Sequence, residues 1–316
     1  MKKTMIEKIK NNKQGIMLYG LPVLIFLLLV SVAVLVQDGT PYNNIALDLG
    51  FAKIAWYAVF ILTGISLGAY FAYHEFKRVG WDTELLFDAL LYAVPLSIVG
   101  SRLYYVLFDP IDRYDSILDV IDITSGGLSI HGAVITAFIF VVLYTRKKKM
   151  NFWLLADILA IGFFVGQIIG RWGNFMNQEA YGPVIESEFI KTILPNFILN
   201  QMEVTPGNFH HPTFLYEGLW NLVGLIFLLV ARRKRWFKVG DMMGLYLIWY
   251  GLGRGAIIEP LRTGGHPTDA LRMFGLPANI ILSLTLFMLG GLAVILIKRK
   301  LIPDQPYYVD MLVEES

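Results

Sequence analysis

Apolar residues run in blocks of about 18 or more along nearly the whole chain, separated by short polar segments. At 1.5 Å per residue, a helix of that length crosses a hydrocarbon core of ~30 Å. The blocks predict spanning helices at about 17–36, 54–73, 86–107, 128–145, 152–175, 213–231, 242–258 and 278–297. The expected fold class is therefore all-α, a polytopic integral membrane protein with about eight transmembrane helices. A basic segment and first anchor occupy 1–53, a membrane core 54–300 and a polar tail 301–316, with a long loop at 178–211. Neither an internal repeat nor a low-complexity tract interrupts the series.

Composition agrees with the pattern: 56% of the 316 residues are hydrophobic and 16% charged, too apolar for an ordinary soluble domain. The net charge of +2 says little, whereas its distribution says much. Lysines and arginines gather at residues 2–13, 77–78, 146–149, 232–238 and 298–300, which hold 19 of the 27 basic residues. These clusters fall at alternate ends of successive spans. The positive-inside rule then places both termini in the cytoplasm and requires an even number of spans. The first block follows a lysine-rich stretch as a signal peptide would, yet Val34 to Gln37 has no small-x-small cleavage pattern, so an uncleaved anchor is expected.

With orientation fixed, the costly polar residues can be placed by depth. The segment GRWGNFMNQEAYG, Gly170 to Gly182, sets Arg171, Asn174, Asn177, Gln178 and Glu179 on the end of an apolar helix. An arginine at the bilayer centre costs ~3 kcal/mol on insertion scales. Tyr57, Arg102, His131, His211, Glu217, Tyr250 and Arg254 also fall toward outer helix ends. Singly, each has a plain reading: Tyr57 as an interfacial anchor, His131 as a packing hydrogen bond, Arg102 snorkelling, Glu217 with Arg254 as a pair holding helices together. Together they favour an anion-binding cavity, because three arginines in one leaflet repel unless an anion or carboxylates compensate them. Arg171, Asn174 and Gln178 have the spacing of one helical stripe. Gly170 and Gly173 offer close approach, Gly64 and Gly68 a small-xxx-small packing face, and Asp82 and Asp241 helix caps. Asp157 and Gln167 have no evident task.

The chain has no cysteine, which excludes disulfides and a thiol nucleophile of its own. Its five histidines lack metal-ligand spacing and no GxSxG elbow is present. No metal, cofactor or nucleic-acid partner is expected. Guanidinium groups in a lipid-facing cavity suit the phosphate of an anionic phospholipid, which they can bind and stabilise as it departs.

At these residues the chain resembles the bacterial prolipoprotein diacylglyceryl transferases. GRWGNFMNQEAYG matches the family's GRxGNFxNxExxG pattern at every fixed position. Trp56 with Tyr57, GSRLYYVLF at 100–108, GGLSIHG at 126–132, HPTFLYE at 211–217, WYGLGR at 249–254 and EPLRT at 259–263 resemble its other motifs. The resemblance implies a seven-helix core preceded here by an extra amino-terminal span. It also implies transfer of the diacylglyceryl group of phosphatidylglycerol to the lipobox cysteine of a prolipoprotein signal peptide. The reaction would take place at the outer face of the bacterial cytoplasmic membrane and release glycerol phosphate. It points to His131 as candidate base, to Arg171 and Arg254 as phosphate holders, and to Tyr57, Asn174, Glu179 and Gly182 as orienting groups. Arg102, Asn177, Tyr250, Glu259 and Arg262 are implied in substrate binding. The competing reading is a transporter or flippase of an anionic lipid or solute.

One departure from the family pattern concerns spacing. Arg254 and Glu259 are five apart, where the family places them four apart, and five residues leave the pair some 140° out of line in a straight α-helix. Pro260 disfavours helical geometry at Glu259, so the chain is expected to break there and swing the carboxylate back.

Overall fold

A computed structural model of the chain describes residues 2–51, 53–108, 116–123, 126–262, 272–273 and 276–313. Helices dominate, and seven are long and apolar enough to cross a membrane. They lie at Met17–Leu35, Trp56–Arg78, Glu84–Phe108, Ile130–Lys147, Phe152–Met176, Thr213–Ala231 and Ile280–Leu301. The remaining predicted span, 242–258, is helical but stands outside those seven. The long hydrophobic blocks therefore fold as expected, and most ends shift by only a few residues.

In chain order the elements begin with α1 (Lys2–Leu35), the hairpin β1 (Ile45–Asp48) and β2 (Lys53–Ala55), α2 (Trp56–Arg78), α3 (Glu84–Phe108), α4 (Ile117–Ile121), α5 (Ile130–Lys147) and α6 (Phe152–Met176). The segment after α6 holds α7 (Glu188–Ile193), α8 (Asn196–Gln201) and the hairpin β3 (Glu203–Thr205) and β4 (Asn208–Phe209). Then come α9 (Thr213–Ala231), α10 (Asp241–Leu252), a π-helical turn (Gly253–Ile258) and α11 (Glu259–Arg262). The short pair β5 (Arg272–Met273) and β6 (Leu276–Pro277) leads to α12 (Ala278–Leu282), a second π-helical segment (Ser283–Leu289) and α13 (Gly290–Leu301). The antiparallel two-stranded hairpins are additions to the all-α expectation.

The chain forms two compact units, one of residues 1–72 and 157–311, the other of 73–156 and 312–316. In the first unit α2 and α6 meet through glycine. A Cβ on Gly64 would lie 3.2 Å from the Cα of Gly166, and one on Gly68 would lie 3.3 Å from the carbonyl of Gly162. Backbones this close make even a methyl group tight, so Gly64 and Gly68 have the packing role their spacing suggests.

Asp157 and Gln167 find their tasks in the same unit. Asp157, fully buried, accepts hydrogen bonds from the backbone N–H groups of Gly240 and Met243. It thereby caps the start of α10 from another helix. Asp241 is not the cap that its position suggests. Its carboxylate pairs with Lys298 at 2.9 Å and Arg299 at 2.6 Å, tying α10 to α13. Gln167 donates to the Tyr246 hydroxyl at 2.8 Å. Asp82, by contrast, accepts from the Glu84 N–H at 2.9 Å and does begin α3.

In the second unit α3 packs on α5 at glycine. A Cβ at Gly132 would fall 2.3 Å from the Gly100 carbonyl. Ser101 Oγ donates to the Ser129 carbonyl at 2.7 Å across the same contact.

Candidate active site

The first unit gathers most of the predicted site residues. Arg171 and Asn174 sit one turn apart on the last turns of α6, and Arg171 Nη1 donates to Asn174 Oδ1 at 3.3 Å. Arg171 Nη2 lies 2.6 Å from Glu217 Oε1, off the hydrogen-bond direction. The other oxygen of Glu217 accepts from Arg254 Nη1 at 3.2 Å, and Arg254 Nη2 lies 3.2 Å from Glu259 Oε2. At the far end Asn174 Nδ2 donates to Glu179 Oε1 at 2.6 Å. The result is one row in which Glu259, Arg254, Glu217 and Arg171 alternate in charge and the Asn174 amide links Arg171 to Glu179.

This row revises the electrostatic expectation. The two arginines do not stand uncompensated, because Glu217 bridges them and Glu259 holds the outer edge of Arg254. Sequence reasoning counted Glu217 in the polar set but gave it no role of its own beyond a pair with Arg254, yet it is the centre of the cluster. Its side chain is 5% exposed, against 23% for Arg171 and 14% for Arg254. Among the described residues the Nε–H of each arginine has no hydrogen-bond partner, so each guanidinium keeps a donor edge for a ligand.

The five-residue spacing of Arg254 and Glu259 is resolved without a break. Gly253–Ile258 winds as a π-helix, and the Glu259 N–H donates to the Arg254 carbonyl, an i to i+5 bond. A π turn accommodates one more residue than an α turn, so the extra residue is absorbed and the two side chains realign. The helix then continues through Pro260 in α11. Gly253 also makes room for the Trp220 ring, which a Cβ there would meet at 2.2 Å. Trp220 and Trp249 stack at 4.4 Å, and each indole N–H donates to the other's backbone carbonyl at 3.1 and 3.0 Å. That reciprocal clamp joins α9 to α10 and sets Glu217 opposite Arg254.

The exit from α6 is tightly turned. Gln178 and Ala180 adopt positive φ of 49° and 57°, which folds Glu179 back over Asn174. Gln178 leaves the predicted Arg171 stripe, since its Nε2 donates to the Gln201 carbonyl at 2.8 Å. Gly182 fills a crowded position, where a Cβ would lie 2.9 Å from His211 Cβ and 3.4 Å from the Leu261 carbonyl. Gly170 faces open space, whereas a Cβ on Gly173 would strike the Tyr57 ring at 2.5 Å. Tyr57 thus rests on Gly173, within electrostatic reach of Arg171 and Glu179. Arg171, Asn174, Ala180, Thr213, Phe214 and Glu217 border a small cleft.

Other predicted residues sit at the margins. Tyr250 stacks on Tyr246 at 6.2 Å and meets Phe287 edge-on at 5.0 Å. Asn177 Oδ1 is buried without a hydrogen-bond partner among the described residues. His211 Nδ1 meets the Tyr216 hydroxyl at 2.9 Å, and burial together with neighbouring His210 holds that imidazole below the usual histidine value. The Arg262 side chain, Thr263 and His266 lie outside the described residues.

Arg102 and His131 belong to the second unit. All three nitrogens of Arg102 donate to backbone carbonyls: Val120 at 2.8 Å, Gly126 at 3.1 Å, Gly127 at 3.0 Å and Asp119 at 2.6 Å. It organises the loop that precedes α5. His131, exposed in the first turn of α5, stacks on Tyr104 at 5.9 Å. Among the described residues no three His, Asp or Glu side chains converge as a metal-binding group.

Comparison with known proteins adds two findings. The model of the prolipoprotein diacylglyceryl transferase family matches residues 44–296. A Listeria welshimeri protein named phosphatidylglycerol–prolipoprotein diacylglyceryl transferase is 38% identical over 272 residues, covering 85% of this chain and 94% of the relative. A Bacillus cereus protein of the same name is 41% identical over 260 residues, covering 82% and 93%.

Proposed function

The chain belongs to the prolipoprotein diacylglyceryl transferase family, and from that membership we propose that it moves the diacylglyceryl group of phosphatidylglycerol onto the lipobox cysteine of a prolipoprotein. The observation that carries the reading is the row of charge around Glu217, with a donor edge left on both Arg171 and Arg254. In the reaction, the cysteine thiolate attacks the glycerol carbon that bears the phosphate ester. A C–S bond forms, the C–O bond breaks, and its electron pair leaves on the phosphate oxygen as glycerol phosphate. The phosphate thereby gains a second negative charge in the transition state. Fixed donors aimed at such an oxygen are worth about 10²–10³ in rate apiece.

Arg171 and Arg254 are assigned to that phosphate. Glu217 and Glu259 hold the two guanidinium forks edge-on, and Asn174 with Glu179 fixes the Arg171 side. Tyr57 orients the lipid head group from α2, and Gly182 lets the chain turn away beside His211. Asn177, Tyr250 and Arg262 are assigned to the substrate's flanks. Arg102 acts through the loop it gathers, ahead of His131. The exposed imidazole of His131 is the assigned acceptor of the thiol proton, whose reference pKa near 8.5 leaves most of the cysteine protonated at neutral pH.

We assign eight spans rather than seven. Asp241 to Arg262 is one helical stretch, about 30 Å long at 1.5 Å per residue, and Asp241, Arg254 and Glu259 on it are paired. Eight spans agree with the alternating basic clusters, with both termini in the cytoplasm and the Arg171 cleft toward the outer leaflet, in contact with the lipobox peptide.

The test is purified protein in phosphatidylglycerol bilayers with a lipobox peptide. The expected product is a thioether-linked diacylglyceryl peptide, detected by mass, with release of glycerol phosphate. Failure of the adduct to form in active lipid conditions overturns the assignment. Arg171→Ala is expected to abolish transfer in a folded protein, and His131→Ala with normal transfer would remove the base.

A further inference from the structure

The helix α1 and the turn after it precede the family match at 44–296, yet they are packed against the active-site helix. Burial along α1 is one-sided. Leu18, Pro22, Phe26, Leu29, Val30 and Ala33 are buried or half-buried, while the positions between them are largely exposed. A recurrence of three to four residues is the mark of a helix seated by one face. On that face Phe26 meets Trp172 edge-on at 5.7 Å. Beyond the helix, Tyr42 meets Phe175 edge-on at 5.8 Å. The Tyr42 N–H donates to Gln201 Oε1 at 2.8 Å, and its hydroxyl donates to the Phe197 carbonyl at 3.2 Å. Gln201, fully buried, donates from Nε2 to the Phe175 carbonyl at 3.1 Å, on the last turn of α6.

Trp172 and Phe175 follow Arg171 and Asn174 by one residue each, so they form the stripe beside the catalytic one. We propose that the segment from Met17 to Tyr42 is a positioning element for α6: Phe26 and Tyr42 close an aromatic layer on Trp172 and Phe175, fixing the rotation that aims Arg171 and Asn174 into the cleft. A turn of only ~10° moves a side-chain tip at ~6 Å from the helix axis by about 1 Å. Misplacement by 1 Å costs up to about 10²-fold in rate. The inference rests on the transferase reading above.

The test uses the full chain in phosphatidylglycerol bilayers with a lipobox peptide. Four proteins are compared: the parent, Phe26→Ala with Tyr42→Ala, Phe26→Leu with Tyr42→Phe, and Leu24→Ala with Leu27→Ala on the exposed face of α1. The alanine pair is expected to lower kcat roughly tenfold to hundredfold per folded molecule with little change in KM. The conservative pair keeps bulk behind α6 and should recover most of the loss, and the exposed-face pair should match the parent. Parent-like kcat per folded molecule in the alanine pair overturns the proposal. Should that pair not fold, Tyr42→Ala alone decides: lowered kcat supports the positioning role and unchanged kcat ends it. A parent that yields no adduct defeats the transferase reading itself, whereas active parent and equally active variants defeat only this inference.

Discussion

Replacing Glu217 by glutamine keeps the side-chain volume and removes the charge shared by two arginines. Its oxygens lie 2.6 Å from Arg171 and 3.2 Å from Arg254, on a side chain 5% exposed. Removing one partner of a buried ion pair costs about 3–5 kcal/mol. Here Glu259 still holds Arg254, and Arg171 retains some access to its surroundings, so the lower end, about 3 kcal/mol, is expected. For a chain of this length that is a fall of roughly 5 °C in thermal unfolding. Turnover should drop at least about tenfold, as the two guanidinium forks lose their common support. The control is Glu188→Gln in α7, whose partner Lys191 lies 2.7 Å away but whose own side chain is 82% exposed. An exposed pair contributes under about 1 kcal/mol. Both variants would be followed by thermal unfolding in detergent and by peptide lipidation. Equal unfolding shifts for Glu217→Gln and Glu188→Gln, or full turnover in the former, would refute the bridge.

Deleting Ala256 removes one residue from the π turn and returns Arg254 and Glu259 to a spacing of four, so the pair and the phase of the flanking helix survive; transfer should stay within about threefold of the parent, and its loss in a folded protein would show the phase argument wrong. Gly173→Ala places a Cβ 2.5 Å from the Tyr57 ring and should cut transfer at least about tenfold. Gly170→Ala, which meets open space, should not, and similar activities for the two would separate Tyr57 from catalysis. Arg102→Lys replaces a planar fork by one ammonium that cannot reach four carbonyls; faster amide exchange at residues 126–130 is expected, and unchanged exchange would deny Arg102 its hold on that loop.

The spans were legible because hydrophobic runs must be long enough to cross lipid. The candidate-site residues on α6 were legible because arginine and amides are conspicuous on an apolar helix. What stayed hidden was partnership. Asp157 carries no sign in the sequence of the backbone it caps more than eighty residues away. Glu217 looks like any buried acid until two arginines from different helices are seen to share it. The π turn was hidden for another reason, since a five-residue interval breaks the α-helical period and reads as a misfit. The face of α1 that touches Trp172 was invisible because residues 17–35 carry no charge that would set one face apart from another in lipid. Small hairpins such as β1 with β2 are too short to leave a period at all.

On the eight-span assignment proposed above, the π turn also bears on how this helix would enter the bilayer. Arginine and glutamate arriving separately would each carry an insertion penalty of a few kcal/mol at the helix centre. Winding by five lets Arg254 meet Glu259 as soon as the local turn forms, without waiting for Glu217 on another helix. An inserting segment would then present the pair as a neutralised dipole rather than as two ions. A feature that aligns Arg254 with Glu259 in the folded protein would thus let the same helix bring its own counter-charge during biogenesis.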